Sequence, residues 1–218
     1  MTIQKYMTNF IPIFPLDIVV FPGEELNLHI FEPKYKQMIT DCFSTGKPFG
    51  IPAVIAEKIM EMGTLLQVKE ISKKYEDDRM DIKTEGLQVF SILEIVKEVP
   101  EKLYSGAIVT YPGNVAKSSP AKMKLILKGI RALHSSLNIT KQFSRPDTEL
   151  NSFDVAHHAG LSTEEEYRLL ELPQELQRQE YLKRHLAKVL PIMAHMDLLK
   201  GKIKMNGHFK SLEGFKFS

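Results

Sequence analysis

The chain has 218 residues, is 43% hydrophobic, carries a formal net charge of +2 and contains one cysteine, Cys42. A chain of that length buries about 70% of the surface its unfolded form exposes, enough for one large domain or two small ones of a soluble globular protein. A lone cysteine excludes an internal disulfide, apolar runs such as FSILEIV are far shorter than the roughly 20 residues of a bilayer span, and MTIQKYMTNF has no signal-like apolar core.

The expectation is therefore a cytoplasmic protein with no membrane partner. In the stretch 200–218, Lys200, Lys202, Lys204, Lys210 and Lys216 stand against Glu213, so the rest of the chain is slightly acidic. That weighs against nucleic acid as a partner, because a phosphate backbone calls for a broad basic face. Residues 201–218 read as a solvated basic tail.

In chain order, the first informative run is IPIFPLDIVVFPGEELNLHIFEPKY. Pro12, Pro15, Pro22 and Pro33 fix φ where the chain enters, turns between and leaves two strands, and Gly23 frees the FPG turn. Phe14, Leu16, Phe21 and Phe31 are expected to fill the core. In ELNLHIF, Leu26, Leu28 and Ile30 alternate with Asn27 and His29, the period of a half-buried strand.

A helix over 33–45 follows. Pro33 suits its first turn, Met38, Ile39, Cys42 and Phe43 share one face, and Gly46 supplies a left-handed end. Glu32 is placed to accept N–H groups at the helix start.

FGIPAVIAE, GTLLQVKEI, RMDIKTEG, LQVFSILEI and SGAIVTY then read as strands. Without crossover helices they predict an antiparallel barrel or sandwich. Between two of them, EKIMEMG is expected to form a hairpin loop carrying Ile59, Met60 and Met62. Methionine is flexible and polarizable, which suits a surface that takes varied apolar segments, so these three are the candidate peptide-binding residues. The plain alternative is a loop folded down on the sheet.

Near residue 115 the apolar period becomes helical. Ser119 and Pro120 begin a helix with Met123, Ile126, Leu127, Ile130, Leu133 and Leu137 as its stripe. Ser162 and Glu165 have capping-box spacing for a helix ending at Pro173, which opens another with Leu182, Leu186, Val189, Leu190 and Met193 on one side. NITKQFSRPDTEL reads as a loop. The domain plan is thus 1–115 β, 116–200 helical bundle and 201–218 tail.

No catalytic or metal constellation is expected. Ser119 and Lys122 have the S-x-x-K spacing of some acyl-transfer enzymes, but no S-D-N or K-T-G accompanies them, and Ser before Pro is an N-cap pattern. Cys42 lies on the apolar helix face, where a thiol is structural. His157 and His158 are adjacent, which on a helix points them about 100° apart and away from a shared metal.

The run from Ile11 to Ile51, with FPL, FPG and L-x-IFEPKY, resembles the N-terminal domain of the Lon protease family. The likeness continues through GTLLQVKEI, DDRMDIKTEGLQVFSI and VAHHAGLSTEEEYRLLELPQELQRQEYLKRHL, and so covers nearly the whole chain. Its motif residues here are Phe14, Pro15, Leu16, Phe21, Pro22, Gly23, Ile30, Phe31, Glu32, Pro33 and Tyr35. Three positions depart from the pattern: Lys34 replaces an Arg, Asp78 the Gly of a DGR turn, and Val89 an Arg.

The resemblance implies an α+β fold, with an N-terminal antiparallel β barrel similar to the PUA fold, one internal helix and a C-terminal helical bundle. It also implies a stand-alone domain without the family's ATPase and Ser-Lys protease parts, since no G-x-x-x-x-G-K-[ST] loop is present and about twenty residues follow position 200. The expected function is a non-catalytic module, without cofactor, that engages unfolded or hydrophobic polypeptide as an adaptor or quality-control factor. The alternative is an RNA-binding protein of PUA-like fold.

Overall fold

The computed structural model describes residues 9–140, 143 and 145–212. They fall into two compact units. One holds the described residues up to Lys117 together with Gly160–Glu175; the other holds those of Ser118–Ala159 and those from Leu176 onward.

The first unit is built on a six-stranded antiparallel sheet. Its strands are β1 (Asn9–Pro12), β2 (Glu25–Ile30), β3 (Phe49–Ile55), β4 (Lys58–Lys74), β5 (Met80–Val96) and β6 (Gly106–Thr110). Their order is β1-β6-β5-β4-β3, with β2 paired to the first half of β5. β4 pairs with two strands and β5 with three, and bulges at Leu65/Leu66, Val68/Glu70, Ile71/Lys73 and Ile92/Glu94, with a register shift opposite Pro52/Val54, let them bend between their partners.

The sheet is not closed, which corrects the expected barrel. The chain leaving β1 meets β3 through two isolated parallel bridges, Ile13 to Gly50 and Leu16 to Ala53. Phe14 N–H donates to Gly50 O at 2.8 Å and Val54 N–H to Leu16 O at 2.7 Å. Pro12, Pro15 and Pro52 have no N–H to give, so a continuous ladder cannot form there.

The turns follow local backbone chemistry. Phe21-Pro22-Gly23-Glu24 is a type II turn: Glu24 N–H donates to Phe21 O at 3.2 Å and Gly23 takes φ +84°. The β3–β4 connection is the two-residue turn Ala56–Glu57, both left-handed (φ +49° and +64°), as the twist of a tight hairpin demands. After its first residue, Glu57, EKIMEMG is therefore not a loop; it is the start of β4, because this turn already reverses the chain. Between β4 and β5, Asp78 takes φ +60°, the conformation a glycine would adopt at no steric cost.

α1 (Pro33–Thr45) ends on Gly46 at φ +66° and buries Met38, Ile39 and Cys42. These join Phe14, Val20, Ile30, Phe49, Ile51, Leu66, Ile82 and their neighbours in one apolar cluster, while Ile11, Ile13, Leu65, Phe90, Ala107 and Val109 form a second. Two motif residues differ from expectation. Phe31 is 59% exposed and outside the core, since it follows Ile30, the last inward residue of β2. Glu32 makes no cap hydrogen bond and instead pairs with Lys34 at 3.1 Å, which draws its carboxylate away from the helix start. α4 (Thr163–Glu171) completes this unit, opened by the Ser162–Glu165 capping box.

The second unit contains α2 (Pro120–Ser136), the short α3 (Ser152–Val155) with a 3₁₀ turn at Ala156–His158, and α5 (Glu175–Leu212) from Leu176 onward. α5 opens at Glu175, two positions after Pro173, and contains Pro191. In α2 the stripe Met123, Ile126, Leu127, Ile130 and Leu133 is buried, whereas Leu137 is the exposed C-cap. Gly129 permits a close approach of α2 to α5, because a Cβ there would lie 3.1 Å from Leu186 Cδ1. Residues 213–218 of the expected tail lie outside the described residues.

Candidate functional site

The β4–β5 register ends with Met62 opposite Ser91. Beyond it, Lys58 and Ile59 pair with β3, while Ile92–Val96 pair with β6, so the two strands part. Ser91 and Ile92 already pair with β6, and just beyond them Leu93 is the extra residue of a bulge between Ile92 and Glu94. Leu93 is left 58% exposed.

Strand alternation assigns the faces. Ile59 shares a face with Gly63 and Leu65, and Ile95 lies opposite Ala107 and, beyond it, Ile11. That face carries the second apolar cluster, beside which Ile95 is 37% exposed, while Ile59, paired with Val54 in the β3–β4 hairpin, is 41% exposed. Met60 and Met62 lie on the opposite face, both half-buried. The three candidate residues thus differ in setting: Ile59 is exposed in the β3–β4 hairpin, whereas the two methionines are half-buried. Leu93 and Ile95 were missed, because LQVFSILEI reads as one uniform strand and nothing in it signals a bulge.

Close packing holds this region in shape. A Cβ on Gly63 would lie 2.3 Å from Ile51 O and 2.7 Å from Phe90 Cζ, and one on Gly50 would lie 2.7 Å from the side chains of Ile11 and Phe90. Only glycine allows the strands to approach so closely over the Phe90 ring.

The FPL, FPG and IFEP motifs are divided between packing and surface. Phe14, Phe21 and Ile30 are buried, Pro15, Leu16, Pro22, Glu32 and Tyr35 are half-buried, and Gly23, Phe31 and Pro33 are exposed. The Phe14 and Tyr35 ring centroids lie 3.9 Å apart, with the planes tilted by 30°. Beside Phe31, the His29 ring lies parallel at 6.2 Å, and Tyr75 meets His29 edge-on at 5.7 Å. His29 Nδ1 lies 2.5 Å from Asp81 Oδ1, and the Tyr75 hydroxyl donates to Asp81 Oδ2 at 2.8 Å. The hydrogen bond from His29, then that from Tyr75, holds the Asp81 carboxyl below the usual carboxylate range.

The catalytic candidates resolve into structural roles. Ser119 Oγ accepts the Lys122 N–H at 3.4 Å, and Lys122 Nζ is 2.9 Å from Glu180 Oε2, so the lysine is ion-paired and the serine caps α2. Burial pushes the Cys42 thiol up to about 11, which leaves it protonated and unreactive at neutral pH. His158 meets His134 edge-on at 5.7 Å, and its carbonyl bonds the His134 ring at 3.2 Å. Among the described residues no group of three or more His, Cys, Asp or Glu could hold a metal ion, and no helix is long and apolar enough to cross a membrane.

The family model described as the ATP-dependent protease La (LON) substrate-binding domain matches residues 11–188. A solved Lon N-terminal domain protein from Xanthomonas campestris is similar over 80% of this chain and 96% of its own, at 20% identity and a TM-score of 0.61. The N-terminal domain of a Mycobacterium avium complex Lon protease matches over 82% and 98% respectively, at 12% identity and a TM-score of 0.57.

Proposed function

The chain belongs to the family of LON substrate-binding domains, a part of that protease without catalytic machinery, and from this we propose that it binds polypeptide through exposed apolar segments. In this reading it serves as an adaptor or quality-control factor and catalyses nothing itself. The observation that carries the reading is apolar area left exposed on the strands where β4 and β5 part. Ile59, Leu93 and Ile95 leave apolar area in water there, on strands that pack closely at Gly50, Gly63 and Phe90. Covering such area returns about 25 cal/mol per Å², and a nearly neutral chain offers little long-range steering of charged partners.

The test is binding of a permanently unfolded probe, reduced and carboxymethylated α-lactalbumin, followed by fluorescence anisotropy. Binding is expected to persist at high salt, because an apolar contact is not screened. Absence of binding by the wild-type protein, or its loss at moderate salt, would overturn the reading.

A further inference from the structure

We infer that the free edge of β2 is a docking site for an extended polypeptide segment, which adds to the sheet as a further strand. The inference rests on the polypeptide-binding reading but concerns a different surface and a different chemistry, main-chain hydrogen bonding.

β2 has one neighbour, β5, along six consecutive pairs from Glu25 with Glu85 to Ile30 with Met80, without a bulge. Two hydrogen bonds fix which groups face that neighbour. Gly86 N–H donates to Glu24 O at 2.8 Å, and Tyr75 N–H donates to Arg79 O at 2.9 Å. The even positions of this half of β5 thus face β2 and the odd ones face β4. In an antiparallel ladder the paired residues alternate, so Leu26, Leu28 and Ile30 bond β5 while the N–H and C=O of Glu25, Asn27 and His29 point outward. Among the described residues nothing bonds those outward groups.

A row of alternating donors and acceptors at strand spacing is matched by another peptide backbone, and this decides the class of partner. The same three-stranded patch has a second free edge, the far half of β4. That edge carries two bulges and Lys69, Lys73 and Lys74, the features that discourage added strands. β2 contains no Lys, Pro or bulge. On its inner face Leu26 and Leu28 are only half-buried against the first apolar cluster; on its outer face His29 leads to the exposed Phe31 ring. The partner that fits is an extended segment with apolar residues at alternate positions, which continue the Leu26/Leu28 face.

Asn27→Pro tests this directly. The Asn27 N–H points away from β5, so proline there removes an outward donor and spares the ladder, a strand setting in which proline is tolerated. The probe is a fluorescein-labelled peptide of alternating valine and threonine with lysine at both ends. At least tenfold weaker peptide binding by Asn27→Pro at an unchanged melting temperature is expected. In the wild-type protein the Asn27 and His29 amides should gain hydrogen-exchange protection when peptide is added, a measurement that holds even if the variant fails to fold. Unprotected amides, or undiminished binding by a folded Asn27→Pro, would overturn the edge site. Protection of the two amides without peptide, together with a doubled solution mass, would assign the edge to a second copy and overturn it too. The polypeptide-binding reading fails separately, if the wild-type protein takes up neither this peptide nor the unfolded probe.

Discussion

The Tyr167 hydroxyl accepts the Met62 N–H at 3.1 Å, at the residue where β4 and β5 cease to pair. A side chain of α4 thus takes over from the sheet where the ladder runs out. Burial raises the Tyr167 phenol above its ordinary value, so it stays a neutral hydroxyl throughout the physiological range. Tyr167→Phe strands that donor, and a loss of about 1–2 kcal/mol is expected in urea unfolding. An unchanged midpoint would show that the bond contributes nothing.

Phe31 and Phe90 offer a contrast within one residue type. Phe90 is fully buried, and Phe90→Ala should cost ~3–5 kcal/mol as a core truncation. Phe31, 59% exposed, should cost less than about 0.5 kcal/mol on the same change. Thermal melts of the two variants side by side check this. A large loss at Phe31 would put that ring in the core after all.

Asp78 holds φ +60° between β4 and β5, a conformation that costs a side chain energy and glycine little. Asp78→Gly should therefore raise stability by roughly 0.5–1 kcal/mol, since its ion pair with Lys74 at 3.1 Å is exposed on both sides and contributes little. The measurement is the shift in denaturant midpoint. A fall would mean the carboxylate outweighs the backbone.

For polypeptide capture, the faces of β4 make a directional forecast. Ile59→Ser combined with Ile95→Ser should weaken binding of carboxymethylated α-lactalbumin by on the order of 1–3 kcal/mol, the range of interface anchors. Met60→Ser with Met62→Ser, on the opposite face, should leave binding within about 0.5 kcal/mol. The reverse ranking would move the apolar site to the methionine face.

Glu180 sets an acid limit in the helical unit. Lys122 first, then Lys183 and Arg184, hold its carboxyl down to about 2 from an ordinary 4.5. A folded-state value below the unfolded one stabilises above pH 4.5 and is lost as pH falls toward 2. Glu180→Gln should therefore flatten the decline of melting temperature between pH 4.5 and 2. A slope identical to wild type would remove Glu180 from the acid response.

Much of this architecture was legible in the chain. Pro33, the Met38–Cys42 face and Gly46 mark α1, and Ser119 and Ser162 cap their helices, because caps and periods are local. The FPG turn was equally readable, since Pro and Gly fix it between them. The barrel was not, since closure depends on which backbone groups meet across the sheet. Phe31 misled because hydrophobic character does not say that a strand has ended one residue earlier. The loop expected around Met60 and Met62 is strand instead, because Ala56 and Glu57 form a turn with none of the residues that usually announce one. Leu93 and Ile95 became visible only once β5 was seen to change partners.

The sharing of β4 and β5 among several ladders also bears on the order in which the molecule assembles. Their hairpin closes over the short turn at Asp78 and costs little chain entropy, so it can form early. β1 emerges first in synthesis, yet its ladder partner is β6, with Asn9 set against Val109. The N-terminal strand must therefore wait for almost the whole β unit to be made, with Phe10 and Ile11 unpaired in the interval. A nascent chain halted after Lys74 has no β5 to fold against, whereas one halted after Val96 holds the three-stranded patch but still lacks the strand that receives its own beginning.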